Sequence, residues 1–266
     1  TLTAEQEIAV NTITTDIQQF NTWLLHGVTG SGKTEVYLRI IEHILAHGKQ
    51  VLILIPEISL TPQLEAVFRA RFPATHLVSL HSGLNDTERL TGWLQAQRGE
   101  AKVILGTRLA VFTPLPDLGL VIVDEEQDSS FKQQDGLRYS ARDLAIFRAR
   151  ENDIPVVLGS ATPSLESYYN ALNGRYRSVR LQSRAIKNAA LPLIQCIDTR
   201  TNKTQEGLSE PLIKALDKCL AEKHQSLVFI NRRGYAPVLL CKACAWTALC
   251  QRCSSRLVVQ KKKKKL

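Results

Sequence analysis

Two short stretches carry residue types that suit one chemistry. "HGVTGSGKTE" holds the pattern G-x-x-x-x-G-K-T as Gly27, Gly32, Lys33 and Thr34, with Thr29, Gly30 and Ser31 inside it. Glycines let backbone N–H groups wrap phosphate oxygens, the lysine reaches the β and γ phosphates of a nucleotide, and the hydroxyl serves a Mg²⁺ ion. With glycine near 7% of residues, the pattern arises by chance in roughly one chain in a hundred of this length, so a fortuitous turn is set aside. "VIVDEEQ" runs three apolar residues into three adjacent acids, Asp124, Glu125 and Glu126, and then Gln127. Bare carboxylates repel one another, so a cation belongs beside them. In a P-loop nucleotide hydrolase an acid ending another core strand helps hold the Mg²⁺ of bound ATP, which is the place of Asp124. Glu125 then suits a general base or positioner for the attacking water, which implies hydrolysis rather than transfer. For Glu126 a solvent-facing strand end is an open alternative.

These residues need a scaffold, and the pattern around them supplies one. Apolar runs of strand length alternate with amphipathic stretches of helical length: "TWLLHG", 33–47, "QVLILIP", 60–72, "HLVSLH", 85–98, "KVILGT", "LGLVIVDE", 140–151, "IPVVLGS" and 164 to about 172. Strands this apolar between helices predict a parallel sheet covered on both faces, a doubly wound α/β domain. "RYRSVRL" through "QSRAIKNAALP" is basic and irregular and reads as a link. A second pattern follows: a strand in "LIQCIDT", a helix in "LSEPLIKALDKCLAEK" with Ser209 as N-cap and Pro211 in its first turn, and a strand in "QSLVFINRRG".

The bulk numbers bound the function. A chain of 266 residues with 44% hydrophobic content can bury a core for one large or two modest domains. It holds no apolar run near the ~20 residues needed to span a bilayer and no readable signal peptide, so a soluble, cytoplasmic protein is expected. The chain begins at Thr1 and holds no Met, which suggests a segment of a longer protein. Net charge is +9, but the lysines of 261–265 supply five of the 34 basic residues, leaving 29 against 25 acids. A polyanionic partner is thus permitted by charge rather than demanded by it.

Two further stretches narrow the class. "GSATPS" (159–164) follows the strand "IPVVL", and "GTRLAVFTP" (106–114) follows "KVIL". A Ser-Ala-Thr turn beside the acids is the arrangement with which superfamily 2 helicases couple nucleotide state to nucleic acid. A kinase or small-molecule transferase has no use for it. The chain resembles the helicase core of the primosomal replication restart helicases through "LTAEQ", "GVTGSGKTEVY", "PEISLTPQL", "LHSGLNDTER", the stretch 106–145, "LGSATPSLES" and "FINRRGYAP", which together span nearly its whole length.

That resemblance implies an ATP-driven 3′ to 5′ translocase of the bacterial cytosol, nucleoid-associated, acting on single-stranded and forked DNA with primosome proteins and single-stranded DNA-binding protein. It implies adenine recognition by Gln6 and coupling through Ser160 and Thr162. Thr107 and Arg108, with "PEISLTPQ", would face the DNA backbone. The loop 128–142 would sense single-stranded DNA, with Phe131, Lys132, Tyr139 and Arg142 supplying rings for stacking and cations for phosphate. For Tyr139 a core position at the start of the next helix reads as well. The family usually carries histidine where Gln127 stands; glutamine keeps hydrogen bonding but cannot become cationic. A bridge from Gln127 to Ser160 or Thr162 is expected.

Cys241, Cys244, Cys250 and Cys253 form C-x₂-C-x₅-C-x₂-C, a zinc thiolate spacing in a cytosolic chain. The family carries four such pairs that bind two Zn²⁺ ions, each site combining an early pair with a later one, so two half sites are expected here. Cys196 and Cys219 sit in apolar contexts and read as core. The resemblance divides the chain into a first, ATP-binding RecA-like lobe (1–184), the start of a second RecA-like lobe (185–240) and a partial zinc-binding insertion (241–266). It places the arginine finger of the second lobe further downstream. The segment alone is therefore expected to bind ATP weakly, hydrolyse it poorly and not unwind DNA. A nucleic-acid-stimulated ATPase that remodels without unwinding, and a zinc-containing docking module, are the alternatives.

Overall fold

The computed structural model describes residues 2–57, 59–185, 193–199, 201, 204–205, 207–229, 244 and 246–248. The chain divides into two compact units, Thr1–Ala190 and Leu191–Leu266. No helix among the described residues is long and apolar enough to cross a membrane.

The first unit is a three-layer α/β domain. Its elements run α1 (Ala4–Thr15), β1 (Thr22–Gly27), α2 (Lys33–Ala46), β2 (Gln50–Leu54), α3 (Pro62–Arg71), β3 (Leu77–Leu80), α4 (Asp86–Gln97), β4 (Val103–Gly106), β5 (Leu118–Asp124), a short hairpin β6 (Lys132–Gln133) and β7 (Tyr139–Ser140), α5 (Ala141–Glu151), β8 (Val156–Ser160), α6 (Leu165–Leu172) and β9 (Arg177–Leu181). Seven strands form one sheet in the order β3-β4-β2-β5-β8-β1-β9, and every pairing in it is parallel. Strands β2, β4 and β8 are buried along their whole length. That explains their unbroken apolar sequences, since both faces meet helices.

Successive side chains split between two cores. Val51 and Ile53 of β2 pack with Ile13 of α1, Ile40 and Ile41 of α2 and Phe68 of α3. Leu52 and Leu54 pack on the other face with Ala96 of α4 and Ala141, Ala145 and Ala149 of α5. The small residues of α5 let that helix lie close to the sheet. Side-chain caps fix where helices begin: Thr3 and Gln6 form a reciprocal capping box on α1, Asn85 and Glu88 another on α4, and Ser164 caps α6. The strand ends therefore deliver β1, β5 and β8, which are lateral neighbours, to one crevice at their C-terminal edge.

The basic stretch expected as a link contains β9, the edge strand paired with β1. Only Val179 and Leu181 of it are buried. An edge strand with one covered face reads as charged and irregular because it has few positions to bury.

In the second unit α7 (Glu210–Ala221) forms where its spacing places it, with Pro211 in the first turn, although Ser209 makes no side-chain cap bond. A two-residue hairpin, β10 (Thr204–Gln205) and β11 (Leu208–Ser209), precedes it. Residues 193–199 of the expected strand "LIQCIDT" and 225–229 of "QSLVFINRRG" are not in strands; residues 230–234 lie outside the described ones. Leu193, Ile194, Leu227 and Phe229 are largely exposed, and among the described residues these stretches have no strand to pair with. For the same reason Cys196 is exposed rather than core, and Cys219 is half-buried.

Candidate functional site

The loop between β1 and α2 turns through glycines in the left-handed region, Gly30 at φ +81° and Gly32 at φ +80°. Its shape is set by backbone bonds: Ser31 N–H donates to Val28 O at 2.9 Å, Val28 N–H to Leu181 O at 3.1 Å, and Ala185 N–H to Gly30 O at 2.9 Å. Thr29 and Gly30 stand exposed at its tip, while Ser31 is buried. Beneath it lies Gln6, 4% exposed. Its Nε2 donates to Ser31 O at 2.9 Å, and its Oε1 accepts from Thr3 N–H at 2.9 Å. A Cβ at Gly32 would sit 2.3 Å from Gln6 Nε2. The oxygen of the Gln6 amide thus serves the cap of α1 and its nitrogen the loop, and the NH₂ group carries a second hydrogen beyond the one given to Ser31 O.

Helix α2 begins at Lys33 and Thr34, so its positive end faces the loop. Lys33 Nζ donates to Gly27 O at 3.2 Å and stands 3.7 Å from Glu125 Oε1. Asp124 ends β5, and its Oδ1 accepts from the Tyr37 hydroxyl at 2.9 Å. Burial raises the Asp124 carboxyl above its ordinary range, the neighbouring Glu125 charge adds to that, and the Tyr37 bond and Lys33 act against it. Tyr37 is buried and its hydroxyl is pushed well above the usual range by burial and by Asp124. The space for that hydroxyl depends on Gly159 of the adjacent β8, where a Cβ would lie 1.5 Å from the Tyr37 oxygen.

Beyond Asp124 the chain folds back, with Glu125 at φ +48°, a conformation costing a non-glycine residue about 1 kcal/mol or more. Glu125 Oε2 accepts from Gln127 Nε2 at 2.8 Å, Gln127 Oε1 accepts from Ser160 Oγ at 2.7 Å, and Ser160 Oγ accepts from Thr162 N–H at 2.9 Å. Gln127 therefore reaches Ser160 directly, and a continuous path joins Lys33 to Thr162.

Glu126 does not end the strand in solvent. It is 2% exposed. Its carboxylate accepts from Ser164 N–H at 2.7 Å, Ser164 Oγ at 3.0 Å, Ser167 Oγ at 2.9 Å and Arg142 Nη1 at 3.1 Å.

The residues expected to meet DNA are placed unevenly. Phe131 is 1% exposed and packs with Leu54, Val123 and Ala141, so its ring offers no face for stacking. Arg142 is buried against Glu126, Asp143 and Ser164 and so is spent on protein acceptors. Burial opposes its charge, but the bonds and fields of Asp143 and Glu126 outweigh this and hold the guanidinium above its ordinary range. Thr107 is nearly buried, and its N–H donates to Leu80 O. Arg108 Nη1 donates to Ser130 O at 3.1 Å and Lys132 O at 3.3 Å, which staples the loop after the acids to the turn after β4. Tyr139 is half-buried, edge-on to Phe112 with ring centroids 5.1 Å apart. Of the six, Lys132 alone is exposed. A cavity of about 240 Å³ opens between the end of β3, α4 and this turn, lined among others by Trp93, His81 and Arg108.

Residues 3–171 match the family model of the DEAD/DEAH box helicases. The chain belongs to that family. The acidic box Asp124, Glu125, Glu126 and Gln127 lies within the matched residues. The chain is 52% identical over 234 residues to the replication restart protein PriA of Haemophilus influenzae, an alignment covering 88% of this chain and 32% of that protein. With PriA of Bacillus subtilis the identity is 41% over 257 residues, covering 95% and 32%. The chain thus spans about a third of the length of these relatives. Among solved structures, RecG bound to a three-way DNA junction superposes with a TM-score of 0.51 at 21% identity, over 71% of this chain and 24% of that one. The DEAD-box helicase Mss116 bound to ssRNA and UDP-BeF gives 0.50 at 17%, over 68% and 40%. At these identities the two share the α/β fold.

Tyr37, Ser164 and Ser167 are partners of the box that residue patterns alone did not single out. "SLES" after "GSATP", serines three apart at a helix start, was the signal available for the last two.

Cys241, Cys250 and Cys253 lie outside the described residues. Cys244 is exposed, and no cluster of metal-binding side chains occurs among the described residues.

Proposed function

We propose that this chain is the ATP-binding core of a 3′ to 5′ DNA helicase of replication restart, with residues 1–184 as first lobe, 185–240 opening a second and 241–266 part of a zinc-binding insertion. The observation that carries the reading is the unbroken path Lys33, Glu125, Gln127, Ser160, Thr162, which ties the phosphate loop to the Ser-Ala-Thr turn. Similarity to the replication restart proteins supports the substrate class, single-stranded and forked DNA, and partners among primosome proteins and single-stranded DNA-binding protein.

The loop 27–34 would bind the phosphates through backbone N–H groups and the start of α2, and Lys33 would swing from Gly27 O to the β and γ oxygens. Thr34 and Asp124 offer the hard oxygen donors that suit Mg²⁺, which when bound offsets phosphate charge. The Tyr37 bond would hold the Asp124 carboxylate in place for it. Glu125, held by Gln127, would orient the attacking water. Lys132, with Arg108 and Thr107 behind it, would meet the DNA backbone. The cysteine pairs would supply halves of two Zn²⁺ sites; one stoichiometric zinc bound by this segment alone would contradict that division.

The test is ATP hydrolysis by the full-length protein with and without single-stranded DNA, beside strand displacement on a forked duplex. Strong stimulation with displacement is expected. Turnover indifferent to DNA would overturn the reading, and stimulation without displacement would leave a remodelling ATPase.

A further inference from the structure

The third acid of the box has no role in the reading above, yet it is the most deeply enclosed of the four residues. Its carboxylate, without solvent exposure, accepts four hydrogen bonds from three residues. A buried carboxylate costs several kcal/mol unless its oxygens are satisfied, and here every donor belongs either to the first turn of α6 or to Arg142. The α6 N-terminus favours negative charge as well. Ser164 fills its hydrogen-bonding capacity: its Oγ donates to Glu126 and accepts from Arg142 Nη1 at 2.8 Å and from Ser167 N–H at 3.3 Å.

The turn 160–164 is thereby held at both ends by consecutive residues. Gln127 takes Ser160 at its start, and Glu126 takes Ser164 at its finish, while the Glu126 N–H donates to Gly159 O at 3.1 Å. Arg142 stands at the start of α5, where the loop that begins after the box ends. It contacts Glu126 and Ser164 with the same nitrogen. A shift of the 128–140 loop that moves Arg142 must therefore disturb both the box and the turn.

We propose that Glu126 and Arg142 are positioning residues that lock the turn 160–164 to the acids and relay displacement of the 128–140 loop to them. Glu125 follows because it is bonded to Glu126 in the chain and to Gln127 through its side chain. The relay deepens the helicase reading and rests on the turn being its coupling element.

The experiment uses the full-length protein and the variants Glu126→Gln, Ser167→Ala, Arg142→Lys and Arg142→Met, each checked by thermal melting. Glu126→Gln keeps the shape but sets an amide against Arg142, and is expected to cut the factor by which single-stranded DNA raises ATP turnover by about 10-fold. DNA-free turnover is expected to fall far less. Ser167→Ala removes one donor and should give a smaller loss of the same kind, while Arg142→Lys keeps the charge and should retain more stimulation than Arg142→Met. An unchanged stimulation factor in folded Glu126→Gln overturns the relay, as does an equal fall with and without DNA. Amide exchange across 158–166 gives a readout independent of activity: Glu126→Gln should speed it, and unaltered exchange also overturns the relay. Wild-type protein whose turnover ignores DNA would instead sink the helicase reading.

Discussion

The loop 27–34 and the segment 124–142 face the same crevice but are held in different ways. The first is shaped by backbone: two left-handed glycines, one main-chain bond within the loop and two to neighbouring segments, and a lysine resting on Gly27 O. The second is shaped by side chains, each of which finds a different partner: Asp124 with Tyr37, Glu125 with Gln127, Glu126 with Arg142 and two serines. A backbone cradle works only with its one sequence pattern, whereas a side-chain network can be assembled from many residue types. Losing a cradle residue should therefore remove a function outright, and losing a network residue should grade it.

Lys33→Ala tests the first half most severely. The backbone remains, so nucleotide should still bind, but the cation proposed for the terminal phosphates is gone. Turnover of the full-length protein should drop by about 10²–10³. A loss of only a few-fold in steady-state hydrolysis would mean that the backbone suffices and the lysine merely rests there.

Phe131→Ala comes next and bears on the second region. The ring lies in the core beside Val123 and Ala141. Its removal should cost about 3–5 kcal/mol in urea unfolding. Affinity for single-stranded DNA should change little in the fraction that remains folded. Full stability with lost DNA binding would turn the ring outward and restore the stacking role expected from residue type.

The same contrast explains what was legible. The sheet could be read because β2, β4, β5 and β8 are covered on both faces and show it as continuous apolar runs; β9 could not, because an edge strand with two buried residues has no such signature. The cradle could be read because its glycines are forced. Asp124 and Glu125 were expected beside the cradle from its chemistry, and Glu125 stands 3.7 Å from Lys33 there. The fate of Glu126 and Arg142 did not follow, since both are charged and sequence alone does not show that they neutralise each other in the core. Phe131 failed for the opposite reason: an aromatic ring in a loop suits a base or a core equally, and only the neighbouring Ala141 decides. The second unit failed where strands needed neighbours that its described residues do not supply.

Gln127→Ala should have a graded effect. It deletes the acceptor of Ser160 and the donor to Glu125 together, leaving the cradle and Asp124 intact. Coupling losses of this sort run to about 0.5–2 kcal/mol, so DNA-stimulated turnover should fall from a few-fold to about 30-fold. Unchanged stimulated turnover would show that the Lys33 to Thr162 path is not used.

The smallest effect lies at the back of the cradle, where Glu5 accepts from the Ser183 backbone N–H at 3.0 Å, the Ser183 hydroxyl at 2.9 Å and the Gln182 N–H at 2.8 Å. The Ser183 backbone bond, then its hydroxyl, hold this carboxyl below the ordinary glutamate range, although the group is exposed. A carboxyl lowered on folding contributes while pH stays above its unfolded value, and that contribution is lost as pH falls through the lowered one. Protection of the Gln182 and Ser183 amides against hydrogen exchange, corrected for intrinsic rates, should thus weaken on acidification across that window. In Glu5→Gln the protection should be lower at neutral pH and nearly flat with acid. Salt should weaken the wild-type effect, because the group is open to solvent. Since Ala185, two residues on, donates to Gly30 O, a pH-independent profile in wild-type protein would mean that the segment over the cradle is held by its backbone bonds alone, which would make this clasp part of the backbone-shaped region rather than of the side-chain network.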